Sequence, residues 1–529
     1  MTDAAKQVSR EDACRAPACG RVAAVGWLLA LAVALAVYAL TMAPGLVWHD
    51  AGYYQTEAAV LDLVRPGEAV RVHPFFLFVA HGLGLLGLWT YAKAASIASA
   101  IGTAFLAANV WLIIHLLTRN ARAAIVGFLA CMLAHTIWQQ GVQPQTYGWS
   151  NAFLTGMILA AIVYVLSGRT WWLLLFFFLG GAGLSVHLLS QLGLVVLGVW
   201  IAVRVLRRQT PAWVIPAGAA LWVLGSGLFW YVAWLEYERT GSLGATLGSA
   251  FLGGWGSAVF NVGGLLGMFR RSALMLVLNF PTPVALLAAY GLWRSRRLLD
   301  GTGLAWVLGA LVAVYLGFAL RYRVPNQNFF FTPVYALVAV YIGIGVHATG
   351  WTRRRGLLAL LVALTVAVVP MYRLMATLAE RWQVDLRGDG KNRTVPYRNF
   401  YTYYLEPWQQ NQTGAARFAS EVLADLPRDA VLLPDTTTAP PLKYLLKVEH
   451  RRPDVRLADP YDARFEAWAE PYWYGDANLL PRLREAGRRV FVVSDHPAYV
   501  PRWVTQYGRI EAFGIVYEVV DREQGGGGS

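Results

Sequence analysis

The chain has 529 residues, 57% of them hydrophobic and only 14% charged, and its mean hydropathy is +0.44. A composition this apolar excludes an ordinary soluble enzyme and a disordered chain, and it points to a polytopic membrane protein. The net charge of +14 does not indicate a nucleic-acid partner, because the basic residues cluster between apolar runs, where the positive-inside rule expects them.

The chain opens with a polar, basic tail over 1–20, expected in the cytoplasm. The apolar run from Arg21 is long enough to cross a bilayer and is not closed by a small-residue cleavage site, so the sequence predicts a retained first helix. Apolar runs then recur to about residue 372. The arginines at 119 and 122, 169, 204–208, 294–297 and 353–355 fit the cytoplasmic side. That placement gives about eleven transmembrane helices, roughly 22–42, 92–117, 122–138, 150–167, 171–186, 188–203, 213–235, 272–293, 303–320, 329–349 and 356–372. The run 171–203 is divided near Val186 because one helix of that length overshoots the bilayer. Segment 73–89 is expected to lie along or dip into the outer face, and the odd number of crossings carries the C-terminal part outside.

Between the first span and the next apolar segment runs TMAPGLVWHDAGYYQTEAAVLDLVRPGEAVRVHP, over 41–74. Most connections are shorter than about a dozen residues, so this one is a candidate for function. It places Asp50, Glu57 and His73 at the outer surface. A carboxylate held beside a cavity is the natural general base for an attacking hydroxyl, and Asp50, just before Gly52, suits that role. It suits equally the N-cap of a helix over YYQTEAAVLDLV. Glu57, seven residues on, shares a helical face with it and is either a site residue or part of a solvated face. His73 is either a ligand or a hydrogen-bonded structural residue.

The same topology brings further polar stretches to this side. WQQGVQPQTYGW sets Gln139, Gln140, Gln143 and Gln145 among Trp138, Tyr147 and Trp149. Amides beside aromatic faces suit a sugar, while aromatics at a membrane interface also serve as anchors. His187 sits in the glycine-broken GAGLSVHLLSQLG, as a functional group or bonded to a nearby carbonyl. Arg321 and Arg323 in RYRVPNQN run against the charge bias and suit bidentate phosphate binding. Snorkelling to lipid head groups is the other reading, and the favoured one for Arg270 and Arg271. Ionisable groups that converge at the membrane boundary form a site hypothesis, because charge is costly to bury in a bilayer. No phosphate-cradling glycine loop, HExxH, Cys/His metal set or GxSxG elbow is present, so neither a nucleotide nor a metal cofactor is expected.

In order and character these stretches resemble the bacterial branch of the protein O-mannosyltransferase-like transmembrane family, GT-C class glycosyltransferases that use polyprenyl-phosphate sugars. That family's outer loop P-x-x-x-W-x-D-x-G-E-F is matched by Pro44, Trp48, Asp50 and Gly52, with Tyr53 where the family has Glu. Its H-P-P-G is matched by His73 and Pro74, followed by Phe75 and Phe76. Its W-x-x-x-x-x-E-V-Y is matched, with one more residue after the Trp, by WQQGVQPQTY, with Gln145 replacing the acid and Tyr147 kept. Its glycine-rich stretch with a His gives His187, and its Y-N-V-P-D is matched by YRVPN, with Asn326 replacing the Asp. The resemblance implies inverting transfer. Asp50 activates an acceptor hydroxyl, polyprenyl phosphate leaves, and Arg321, Arg323 or Lys93 compensates its charge. Three neutral replacements leave one carboxylate and remove support for a bound divalent metal.

From about 374 to 522 the composition is that of a soluble domain, expected in the periplasm of a bacterium whose inner membrane holds the domain over 21–373. Alternating patterns predict a small α/β layer fold, with helices at 415–425, 440–448 and 478–487 and strands at 430–434, 454–459, 490–495 and 514–520. The turn at Asp435 to Thr438 reads as a ligand-binding strand end or, preferably, a helix cap. The tail DTTTAPPLKYLLKVEHRRPDVRLAD is similar to the same family's soluble part, and the domain is expected to present or select the acceptor. The terminal GGGGS reads as an appended linker within 523–529. Expected partners are a polyprenyl-phosphate sugar, membrane lipids and an acceptor protein, lipid or glycan. The competing reading is a non-catalytic glycolipid-binding protein or transporter on the same fold, since glycine- and proline-broken spans are typical of transporters.

Overall fold

The computed structural model describes residues 17–255, 265–322, 324, 326–386, 392, 394–460, 470–475 and 478–521. Seven described helices are long and apolar enough to cross a membrane: Gly20–Thr41, Tyr91–Thr118, Tyr147–Ser167, Leu189–Leu206, Leu304–Arg321, Gln327–Thr349 and Arg355–Arg381. Three helix pairs reach that length only together, which allows up to ten spans. The chain is therefore a polytopic α-helical membrane protein.

The departures from straight spans have local causes. Gly267–Asn279 and Pro283–Leu298 meet at a sharp bend of 112°, because Pro281 and Pro283 cannot continue the first helix. Val214–Gly225 and Gly227–Thr240 bend by 60° at the flexible Gly225–Ser226–Gly227. Ala121–Met132 and His135–Gly141 bend by 70°. The expected spans 122–138, 213–235 and 272–293 are thus broken rather than straight. Trp171–Leu184, with 14 residues, is about 21 Å long and shorter than an upright crossing needs. The break expected near Val186 is present, between Leu184 and Leu189. Pro74–Leu85, with 12 residues, is also too short to span upright.

The centre of the bundle is the pair Tyr91–Thr118 and Gln327–Thr349, whose apolar windows are 78% and 94% buried, against 17% for Gly20–Thr41. Small residues permit this approach. At Gly102 an added Cβ falls 2.6 Å from the Trp149 ring, so only glycine lets that indole lie against the helix.

The C-terminal part carries a five-stranded mixed sheet, ordered β2-β1-β3-β5-β4. Its strands are β1 (Val431–Leu433), β2 (Arg456–Leu457), β3 (Val490–Val492), β4 (Gly508–Phe513) and β5 (Val516–Asp521). β1 pairs in parallel with β2 and β3, and β5 pairs antiparallel with β3 and β4. Helices Gly414–Asp425, Ala439–Lys447 and Leu479–Glu485 lie where the alternation expects them. Strand β4 was not expected, since its edge position leaves most of it at least partly exposed and without an apolar signature.

The two parts share a core. Leu46, Trp48 and Ala92 from the membrane part pack with Phe418, Leu442 and Tyr444 from the C-terminal part, and the Trp48 and Phe418 rings are 5.4 Å apart.

Candidate active site at the outer loop

The outer loop folds around helix His49–Val60, which carries Asp50 in its first turn. The N-cap is Trp48, whose side chain makes no capping bond, so the cap reading of Asp50 does not hold. A carboxylate in the first turn is favoured by the helix dipole. Gln55 fixes the loop before the helix: its Nε2 donates to the carbonyls of Gly45 (2.9 Å) and Ala92 (3.1 Å), and its Oε1 accepts from the Val47 N–H.

Asn326, 276 residues away in sequence, donates from Nδ2 to Asp50 Oδ2 at 2.8 Å. The Asp50 loop and the loop containing Asn326 therefore do meet. An Asp at 326 would set two carboxylates facing each other at this distance; the amide makes a charge-assisted hydrogen bond instead. Among the described residues, no group of three or more His, Cys, Asp or Glu is arranged to hold a metal ion.

Beside this pair stands a wall of rings. His73 and His187 stack at 5.2 Å with an interplanar angle of 11°, Tyr54 packs edge-on to His73, and His187 lies 5.1 Å from Tyr147 and 5.8 Å from Phe330. Tyr147 is within electrostatic reach of both Asp50 and Tyr54, which joins the wall to the carboxylate.

The hydrogen bonds settle the tautomers. His73 Nδ1 donates to the Val186 carbonyl at 2.6 Å, so its Nε2 is an acceptor. His187 Nδ1 accepts from the Leu189 N–H at 3.0 Å, so its Nε2 is a donor. Burial pushes the His187 imidazole down to about 4. Burial, then the neighbouring His187 and the Arg65 and Arg71 charges, hold His73 well below its ordinary value. Both rings are neutral near pH 7 and present one acceptor and one donor. The carbonyl bond expected of His187 belongs instead to His73.

The aromatics of WQQGVQPQTYGW are not lipid-facing anchors. Trp138 and Tyr147 are buried, and Trp138 Nε1 donates to Thr41 Oγ1 at 2.9 Å. Gln145 is buried, and its backbone N–H and carbonyl bond Ser99. In the same stretch Gln143 Oε1 and Thr146 Oγ1 are buried without a hydrogen-bond partner, as is Thr56 Oγ1 on the Asp50 helix. Such buried orphans in a native fold ask for a polar guest or water.

The cations divide. Arg323 lies outside the described residues. Arg321 is exposed at the end of helix Leu304–Arg321. Lys93 is partly buried in the first turn of Tyr91–Thr118, where its backbone N–H is capped by Thr90 Oγ1. Glu57, on the Asp50 helix, is buried and ion-paired with Arg65. A cation that the sequence does not single out is Arg71. It pairs with Glu68 at 3.0 Å, and its charge acts at His73, Tyr147 and Tyr322. Its place two residues before His73 was the available signal.

No family model matches this sequence, and no curated protein matches it. Solved structures do. The chain is similar to ArnT from Cupriavidus metallidurans bound to undecaprenyl phosphate, with 15% identity and a TM-score of 0.54, over 94% of this chain and 98% of that one. It is also similar to the Archaeoglobus fulgidus oligosaccharyltransferase in its apo form, with 13% identity and a TM-score of 0.50, over 94% of this chain and 75% of that one. The multi-pass helical bundle with its C-terminal sheet thus has the GT-C-like membrane fold of these two structures.

Proposed function

We propose that the protein is an inverting glycosyltransferase that moves a sugar from a polyprenyl-phosphate-linked donor to an acceptor hydroxyl, at the outer face of a bacterial inner membrane. The observation that carries this reading is the Asp50–Asn326 pair, a lone oriented carboxylate on a fold shared with a protein crystallised with undecaprenyl phosphate. Asn326 occupies Oδ2, which leaves Oδ1 to take the acceptor proton. The acceptor oxygen then attacks the anomeric carbon as the bond from that carbon to the phosphate oxygen breaks, and polyprenyl phosphate leaves. Arg71, paired with Glu68, is a candidate to compensate its charge, with Lys93, Arg321 and Arg323 as further candidates. His73, His187, Gln145 and Tyr147, with the buried orphan oxygens nearby, would bind hydroxyls. The reading requires no metal, since Asp50 is joined by an amide rather than by a second acid.

The test is release of free polyprenyl phosphate from a panel of polyprenyl-phosphate sugars by the purified protein, with cell-envelope material as acceptor. Release names the donor. No release from any donor, with one lipid retained tightly, favours the binding or transport reading, which the bent helix pairs would also suit.

A further inference from the structure

Helix His49–Val60 begins in an unusual way. His49, its first residue, has φ +60°, a left-handed conformation that costs a non-glycine residue free energy and persists only where the surroundings enforce it. Asp50 is the next residue, so this strained turn sets where the carboxylate points.

What enforces it comes from the C-terminal part. The His49 N–H donates to the Thr437 carbonyl at 3.2 Å. Arg398 Nη1 lies 2.9 Å from His49 Nε2, and because a guanidinium only donates, Nε2 accepts. Tyr404 Oη lies 2.9 Å from the same nitrogen. Nδ1 therefore carries the proton and faces Thr437 Oγ1 at 3.3 Å. Thr437 is itself fixed by Asp435, whose Oδ1 accepts from the N–H groups of Thr437 (2.8 Å) and Thr438 (3.0 Å). Asp435 therefore ties the turn before helix Ala439–Lys447, whose N-cap is Thr438 with no side-chain capping bond, so the helix cap expected at Asp435 is not formed and the turn it ties carries the His49 partner.

One helical turn on, on the same face, Tyr53 donates to Asp459 Oδ1 at 2.8 Å, and Lys443 pairs with Asp459 Oδ2 at 3.3 Å. Tyr53 stands where the resembled family has an acid, and here the acid is supplied by the C-terminal part. Between them Gly52 leaves no room for a side chain: an added Cβ would sit 2.4 Å from the Val47 carbonyl oxygen and 2.6 Å from Pro440 Cβ.

We infer that His49 is a positioning residue for Asp50, through which the docked C-terminal domain holds the strained helix start, with Tyr53–Asp459 as its second anchor. The inference rests on Asp50 being the base. The domain beyond the last span is then part of the catalytic device, in addition to any role toward the acceptor.

The experiment compares full-length His49→Gly, His49→Asn and Asp50→Asn with wild type. Each is assayed for turnover and KM on whichever polyprenyl-phosphate sugar of the panel the wild type turns over, and for the stoichiometry of polyprenyl phosphate bound per chain. Glycine accepts the left-handed conformation without strain but loses the clamp. Asparagine tolerates it and keeps an amide for Thr437 or Arg398. His49→Gly should lower kcat by about 100-fold, the scale of a small misplacement of a catalytic group, with donor KM and lipid stoichiometry near wild type. His49→Asn should recover part of that loss. A folding defect would instead lower the stoichiometry, and Tyr53→Phe, which removes the second anchor alone, would then be measured in its place, with a fall in kcat at unchanged KM expected. Wild-type kcat in His49→Gly, or in a fully bound Tyr53→Phe, overturns the inference while leaving Asp50 in place. Unimpaired transfer by Asp50→Asn overturns the underlying reading instead.

Discussion

Between residues 41 and 60 the outer loop is held to the C-terminal part by directional polar bonds at His49 and Tyr53 beside the Trp48–Phe418 contact, whereas between 73 and 85 the chain is held to membrane helices mainly by ring stacking and packing, with the His73–Val186 bond beside them. The first kind of contact fixes an orientation, since a hydrogen bond loses strength steeply when misaligned. The second fixes a surface, since aromatic packing tolerates small slides. A carboxylate acting as the proposed base needs the former; a wall proposed to receive a sugar ring needs the latter. The division of labour follows the division of chemistry.

The comparison can be broken from either side. Trp48→Ala removes the ring that joins the two cores, and a buried Trp replaced by Ala costs about 3–5 kcal/mol. Denaturant unfolding should show that loss, with protease sensitivity rising in the C-terminal part; an unchanged midpoint would mean that the shared core adds little. Asn326→Ala takes away the donor to Asp50, a bond to a charged group worth about 1.5–3 kcal/mol. Turnover should fall by roughly 10- to 100-fold at similar lipid binding, and a change confined to KM would move Asn326 from orienting the base to binding substrate.

The smallest effect belongs to the ring wall. His187 is held near 4, below the ordinary value of about 6.5, so the unfolded chain takes up its proton first as pH falls. Its stabilising contribution is present above about pH 6.5 and is lost on the way down to 4. The melting-temperature advantage of wild type over His187→Gln should shrink over that window. A gap that is constant with pH would mean the ring does not titrate as its burial requires.

Much of the membrane architecture was legible in the sequence, because a bilayer demands apolar runs of fixed length. The break near Val186 followed from that length, and the expectation that the segment after His73 does not cross followed from the parity of the crossings. The bends at Pro281–Pro283 and Gly225–Gly227 carried visible breakers, yet the apolar runs continued through them. Strand β4 was hidden because GRIEAF, at a sheet edge, needs no apolar face. In the site, Asp50, Asn326, Tyr147, His73 and His187 were each singled out, but their meeting depends on contacts across hundreds of residues that no spacing records. His49 and Arg71 were passed over for a related reason. The strain at His49 is imposed by Arg398, Tyr404 and Thr437, and nothing in the local sequence announces that those residues dock there.

The most direct measurement is a single-turnover comparison of wild type and Asp50→Asn on one labelled polyprenyl-phosphate sugar, with donor binding measured on the same samples. If Asp50 is the base, the variant binds donor as wild type does and transfers it about 10²–10⁴-fold more slowly, the usual worth of a positioned general base. Transfer at the wild-type rate by Asp50→Asn, with donor bound, would contradict the account.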